Sequence, residues 1–256
     1  MKITCRAITN RGIERKLNED CCLVDGWVQC SNMHAPRTFA IASAPFVVAV
    51  ADGLGGHARG DLASNIALTR LAAITSDNVE RLTESSLSEI IQTVHQDLVD
   101  MAELSAKYRG MGTTIAGIVF QSNKALAFNV GDSRVYRREG DYLQIISVDD
   151  RMPGERGFGE ASAGSTSNIL LQCLGVGTTS APPTPHFSTV ALGATDTFLL
   201  CTDGLFDCLS LDEIEAAVRR PDGESLEGLI AATLAAGAPD NVTIVEIKVI
   251  ANDDAS

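Results

Sequence analysis

The chain has 256 residues, 45% of them hydrophobic, and a formal net charge of −13; that length suits one large domain or two small ones, with enough apolar material for a substantial core. So negative a balance argues against a nucleic-acid partner, whose affinity comes mainly from Lys and Arg meeting phosphates, and against anionic membrane surfaces. It does not exclude a phosphate-bearing ligand, because a bound metal inverts the local field.

From the N-terminus, ITCRAIT (3–9) reads as a strand, followed by a turn at residues 10–12 and a second short strand at 21–25. FVVAVA (46–51) is a third strand, and its unbroken apolar character predicts burial on both faces. MKITCRAITN has no apolar core of signal-peptide length, and the longest apolar stretch, 40–51, is interrupted by Ser43 and Pro45. It is too short for a bilayer, which needs about 20 residues, so a soluble cytoplasmic protein is expected. Residues 61–75 and 86–107 have helical periodicity, the second with a stripe of Ile90, Ile91, Val94, Leu98 and Met101.

The period then changes. Residues 113–120, 124–130, 133–139 and 142–147 read as strands joined by short polar turns, which predicts a single antiparallel meander. Residues 150–168 are rich in Gly and Ser, and predict a mobile surface loop. An apolar segment (168–175) and a proline-rich turn (181–185) follow. Then come strands at 186–191 and 197–202, helices near 211–219 and 224–236, and a last strand at 242–249. The tail, 251–256, is expected to fray. Strands dominate and the helices come in two pairs, so the fold class is α+β, two packed antiparallel sheets with helices outside. Seven cysteines, an odd number without a CxxC pair, predict reduced thiols packed as small hydrophobes.

The strands share an unusual ending. FVVAVA runs into Asp52-Gly53, FLLCT into Asp203-Gly204 and AFNV into Gly131-Asp132, while Asp240 directly precedes the last strand and Glu19-Asp20 the second. A single acid there is ordinary turn chemistry. Several that meet at one end of a two-sheet sandwich would repel strongly unless neutralised, and oxygen ligands of this kind suit Mg²⁺ or Mn²⁺. The four histidines (His34, His57, His95 and His186) lack zinc-ligand spacing. Gly53 lets its carbonyl approach a metal closely, and Gly55 and Gly56 permit a tight turn into the helix near Asp61.

In order, these segments are RKLNED (15–20), DGLGGHARGDLAS (52–64), GMGTT (110–114), NVGDSRVY (129–136), LLCTDGLFD (199–207) and PDNVT (239–243). Taken together they resemble the metal-dependent Ser/Thr protein phosphatases of type 2C, and DGxGGH and RxxNED resemble the bacterial branch. The resemblance runs over nearly the whole chain and implies one phosphatase domain over residues 1–250, an αββα sandwich with a two-metal site between the sheets. It implies Mn²⁺ or Mg²⁺ as cofactor. Asp52 would bridge both ions, Gly53 would bind one through its carbonyl, and Asp203 and Asp240 would hold the other. Glu19 and Asp20 would order metal-bound water, and Asp132 with Asp203 would hold a weaker third ion. Arg15 matches the arginine that grips the substrate phosphate, a role that suits a planar guanidinium.

Also implied are attack on phosphorus by a metal-activated water, no covalent enzyme intermediate, and phosphoprotein partners that include a Ser/Thr kinase. A monomer is expected. Thr113 and Thr114 are expected to be strand residues near the site rather than nucleophiles. His57 is expected to be structural or solvent-facing, because the position where some relatives carry histidine is Leu54 here. The chain departs from its relatives in residues 150–167, where a longer charged flap is replaced by a short glycine-rich stretch, which predicts an open, mobile site. Two other readings are weighed against this one. A non-catalytic metal-binding regulator would lack a ligand, and none is missing; a two-metal nuclease would carry a basic surface.

Overall fold

The computed structural model describes residues 2–42, 44–54, 59–75, 82–153, 166–175, 182–220 and 224–250. In chain order the elements of the N-terminal half are β1 (Lys2–Asn10), β2 (Asp20–Val24), β3 (Trp27–Gln29), β4 (Arg37–Ile41), β5 (Phe46–Leu54), α1 (Gly60–Thr75) and α2 (Glu84–Leu104). Then come β6 (Gly112–Thr113), β7 (Ile115–Phe120), β8 (Lys124–Val130), β9 (Arg134–Glu139), β10 (Tyr142–Ile145), β11 (Arg151–Pro153), β12 (Thr166–Leu170) and β13 (Leu174–Gly175). The chain ends with β14 (His186–Ala191), β15 (Thr197–Cys201), α3 (Asp203–Phe206), α4 (Leu211–Val218), α5 (Ser225–Ala235) and β16 (Val242–Ile250).

Two antiparallel sheets face each other. The first has the order β10-β9-β15-β16-β1-β4; the second has β13-β6-β5-β7-β8-β14, with β2 paired to β5 and β3 to β2. Strand alternation explains the layers. In β5, Val48 and Val50 point into the core between the sheets, where they meet Ile118 and Phe120 of β7, Phe198 and Leu200 of β15, and Val245 and Ile247 of β16. Val47, Ala49 and Ala51 point the other way, toward Leu68 and Leu71 of α1 and Ile91, Val94 and Leu98 of α2. A third core lies between the outer face of the first sheet and α4 and α5, around Leu199, Leu205, Ile214, Leu226 and Ile244. The result is the expected αββα sandwich, and β5 is buried on both faces because each face has its own helix or sheet.

The helices start where local chemistry dictates. The hydroxyl of Thr83 accepts the Ser86 N–H and the Ser86 hydroxyl accepts the Thr83 N–H, a capping box that opens α2 at Glu84. Ser210 and Glu213 do the same for α4. None of the helices among the described residues is long and apolar enough to cross a membrane.

Four expectations are corrected. The meander over 113–147 is not one sheet: β7 and β8 pair within the second sheet, whereas β9 and β10 pair within the first. The crossing is made at Gly131, at φ +99, a backbone angle that favours glycine. The stretch 150–168 is not loop throughout, because β11 and β12 close it at its base as a two-stranded ribbon, and Arg151 is buried; residues 154–165 lie outside the described residues. The weakly apolar β3 and β4 were not anticipated. Last, Cys21 and Cys30, expected as reduced thiols, are joined by a disulfide. The β2–β3 hairpin pairs Cys22 with Gln29, and that register continued by one residue sets Cys21 opposite Cys30. His57, Gly55, Gly56 and the 251–256 tail also lie outside the described residues.

Candidate active site

The topology gathers the strand-end acids at one end of the sandwich. In the second sheet, β2 starts where β5 ends, so Asp20 and Asp52 are directly opposed. Both continue the alternation of Cys22, Val24, Val48 and Val50, and so sit on the face toward the other sheet. In the first sheet, the end of β15 and the start of β16 lie at the same edge; they present Asp203, the first residue of α3, and Asp240. Like charges directly opposed across a strand pair destabilise a sheet, so this arrangement favours either retained protons or a compensating cation.

Hydroxyl-bearing side chains hold these acids in place. Thr202 donates its hydroxyl to Asp20 Oδ2 at 2.8 Å and accepts the Thr243 N–H at 2.9 Å. The Thr9 and Thr243 hydroxyls share a 2.7 Å bond, and Asn18 Nδ2 donates to Thr9 Oγ1. Around Asp52, the Thr113 hydroxyl donates to its carbonyl at 2.8 Å, and its own N–H donates to Thr114 Oγ1 at 3.0 Å. Both threonines of GMGTT therefore orient the backbone of Asp52.

Asn241 shapes the RKLNED loop. Its Nδ2 donates to the carbonyls of Arg11 and Leu17 at 2.8 and 2.9 Å, and its Oδ1 accepts the Glu19 N–H at 2.8 Å. The carbonyl of Glu19 in turn accepts the Gly53 N–H at 3.1 Å and the Ser64 hydroxyl at 2.6 Å. The loop delivers Arg15, with an exposed side chain, to Asp240 Oδ2 at 2.6 Å.

Crowding raises the proton affinity of the acids. Burial, then the charges of Asp20, Asp203 and Asp240, push Asp52 well above the usual carboxylate range. Asp20 is pushed up to about 8, mainly by burial, with the Thr202 and Thr243 hydrogen bonds working against the shift. Asp203 is pushed up to about 6 by burial and by Asp132 and Asp240, and Glu19 is raised by burial against the pull of Arg15. Asp20 Oδ1 and Asp203 Oδ1 are buried without a hydrogen-bond partner. Among the described residues no three His, Cys, Asp or Glu side chains are placed to hold an ion by themselves. A hard cation that keeps several waters needs no such cage, and the two orphaned oxygens and mutually repelling acids fit it.

A thermal prediction follows with a definite sign. Unfolded aspartates protonate near pH 3.9, whereas folded Asp20 and Asp203 do so near 8 and 6. The folded metal-free chain then holds more protons than the unfolded one between those values, so its stability falls as pH rises. In EDTA, the Tm is expected to drop between about pH 5 and pH 8, and the gain on adding Mn²⁺ to grow over the same range. A Mn²⁺ effect that shrinks toward pH 8 would contradict this electrostatic picture.

Asp132 lies buried on the GDSR turn, and it meets a residue that sequence reasoning missed. Arg151, from the start of β11, donates through Nε to Asp132 Oδ2, through Nη2 to Asp203 Oδ2 at 2.6 Å, and through Nη1 and Nη2 to both oxygens of Asp207 at 3.0 Å. Asp207 and Asn241 were missed too. Asn241 had a signal, the amide that follows Asp240 in PDN. Arg151 had none, because it opens a stretch that reads as loop.

The model of the family described as "Protein phosphatase 2C" matches residues 37–235. The chain is 31% identical over 214 residues to the serine/threonine phosphatase Stp of Listeria innocua, an alignment that covers 79% of this chain and 84% of that protein. It is also 31% identical over 214 residues to the serine/threonine protein phosphatase PstP of Mycobacterium tuberculosis, covering 81% of this chain but only 41% of PstP. The chain thus spans less than half the length of that relative. The crystal structure of the PstP catalytic domain in complex with two manganese ions superposes with a TM-score of 0.76 at 28% identity, over 98% of this chain and all of that one. The match over most of the chain and the shared sandwich place this protein in the protein phosphatase 2C family.

Proposed function

We propose that this chain is a protein serine/threonine phosphatase that removes phosphate from phosphoserine and phosphothreonine by direct attack of water, using two Mn²⁺ or Mg²⁺ ions. The observation that carries this reading is the convergence of Asp20, Asp52, Asp203 and Asp240 at one end of the sandwich beside an exposed arginine. The residues that would hold the ions are Asp52, the Gly53 carbonyl, Asp203 and Asp240. The two manganese ions in the PstP catalytic domain support that count. When bound, such ions supply an activated water as nucleophile and positive charge against the phosphoryl oxygens.

The remaining roles belong to the chain itself. Thr202 fixes Asp20 Oδ2 and leaves the partnerless Oδ1 to accept a hydrogen bond from a water in the site; Glu19 serves the same water shell. Arg15 sits on an exposed loop and can turn from Asp240 to fork onto phosphate oxygens. No side-chain nucleophile is needed, and none is suitably placed among the described residues. The Thr113 and Thr114 hydroxyls are engaged with the backbone of Asp52. Burial pushes the Cys22 thiol up to about 12 and those of Cys5 and Cys201 higher still, which keeps them from forming thiolates. The net charge of −13 disfavours a phosphodiester backbone as substrate. The partners are phosphorylated proteins, a Ser/Thr kinase among them, met in the cytoplasm by a monomer.

The test is hydrolysis of a phosphothreonine peptide with Mn²⁺, with EDTA and a phosphodiester as controls. Turnover that disappears in EDTA and spares the diester is expected. Folded protein that binds Mn²⁺ without turnover would replace this reading with a regulator, and diester cleavage would replace it with a nuclease.

A further inference from the structure

We propose that the guanidinium of Arg151 is a built-in cation standing where a third divalent ion would bind between Asp132 and Asp203. The proposal rests on the two-ion reading above and adds that this chain takes no ion at the third position.

The first support is the geometry. One oxygen of each carboxylate that would hold a third ion, Asp132 Oδ2 and Asp203 Oδ2, already accepts a hydrogen bond, from Arg151 Nε and Nη2 respectively. The other edge of the same guanidinium is forked onto Asp207. A Mg²⁺ or Mn²⁺ ion must approach its oxygens to about 2.0–2.2 Å, which places it on top of the guanidinium nitrogens. The Arg151 and Asp132 side chains are each only 4% exposed. Displacing the arginine would therefore leave a buried charge without its partners, a costly outcome.

The second support is that Arg151 cannot easily swing away. Asp150, its neighbour, is locked onto the GDSR turn: its Oδ2 accepts the Gly131 N–H at 2.9 Å, its N–H donates to the Gly131 carbonyl at 3.0 Å, and its carbonyl accepts the Leu171 N–H at 2.7 Å. Gln172 and His186 both reach Asp150 Oδ1 at 2.9 Å. Arg151 itself is paired with Leu170 across the β11–β12 ribbon. Arg134 is held by Asp149 and stacks on the Phe206 ring at 3.6 Å, and the Arg151 guanidinium lies 5.5 Å from the same ring.

The third support is the division of Asp203. Its Oδ2 faces Arg151, while its Oδ1 is buried and partnerless. The arginine thus fixes the rotamer of Asp203 and leaves one oxygen for the two-ion site. In this account Arg151 is a positioning residue, one that ties the base of the 150–170 ribbon to the metal-binding acids.

The experiment counts Mn²⁺ bound per chain by equilibrium dialysis with metal analysis, using the full chain. Wild type is expected to saturate at two ions, unchanged by Asp132→Asn. Arg151→Ala is expected to gain one ion, lost again in the Arg151→Ala/Asp132→Asn double variant. Arg151→Gln, which removes the charge but keeps a long polar side chain, is expected to gain the same ion and serves if the alanine variant does not fold. A third ion in wild type that vanishes in Asp132→Asn overturns the proposal without any arginine variant, as does an Arg151→Ala count equal to wild type. The two-ion reading fails separately, through a wild-type count below two. A gain of one Asp132-dependent ion on removing Arg151 would support the arginine's role whatever that count.

Discussion

Asp52→Asn is expected to lower hydrolysis of a phosphothreonine peptide on the order of 10³-fold or more, about 4 kcal/mol of transition-state stabilisation, on a chain that still folds. The residue's backbone geometry comes from the Thr113 and Thr114 hydroxyls and from its place at the end of β5, none of which involves the carboxylate. The carboxylate itself is under strain in the metal-free chain, because burial and the charges of Asp20, Asp203 and Asp240 oppose its ionisation. The amide removes one of these like charges. The Tm in EDTA is accordingly expected to stay level or rise, while the gain from Mn²⁺ collapses. That opposite movement separates loss of a metal ligand from loss of fold. Asp203→Asn and Asp240→Asn are expected to lose turnover to a similar degree. Near-wild-type turnover in any of the three would sink the assignment.

The parts of the molecule that were readable in advance are those whose signal is local. Apolar runs such as β5, β7 and β16, and the capped helices α2 and α4, carry their pattern in contiguous residues. The strand-end acids were visible for the same reason: Asp52 and Asp203 each end an apolar run, and Asp240 stands just before one. What lay hidden depends on which strand pairs with which. Nothing local distinguishes a four-strand meander from two hairpins in different sheets, and the difference turns on the backbone angle of Gly131. The Cys21–Cys30 disulfide is a consequence of hairpin register, which cysteine spacing does not reveal. Arg151 is the sharpest case. A three-residue strand at the mouth of a glycine-rich segment has no apolar period, yet the Asp150 N–H donating to Gly131 and the Asp150 carbonyl accepting from Leu171, each partner about 20 residues away in sequence, bring its neighbour into the acidic cluster.

Gly53→Ala is the second substitution expected to have a large effect, and its cause is space rather than charge. Gly53 at the end of β5 faces Gly60 at the start of α1, and a Cβ on Gly53 would run into the carbonyls of Gly60 and Glu19. Both obstacles are backbone, so no side chain can turn aside. Relief requires moving α1 off the sheet or moving Glu19, whose carbonyl is also held by the Ser64 hydroxyl. Overpacking of this kind costs about 1–3 kcal/mol, which for a chain of this size lowers Tm by several degrees, at about 2–4 °C per kcal/mol. The activity loss is expected to exceed what stability alone explains, about 10²-fold, because displacement of reacting groups by about 1 Å has that consequence. The shift falls on Asp52, Gly53 and Glu19 together, so added Mn²⁺ should not restore turnover even at temperatures where the variant is fully folded. Thermal melts and kcat/KM measured side by side at such a temperature decide the matter. Wild-type values for both would mean that the end of β5 has room to spare, and that the two glycines facing each other there are not what seats α1 against the strand-end acids.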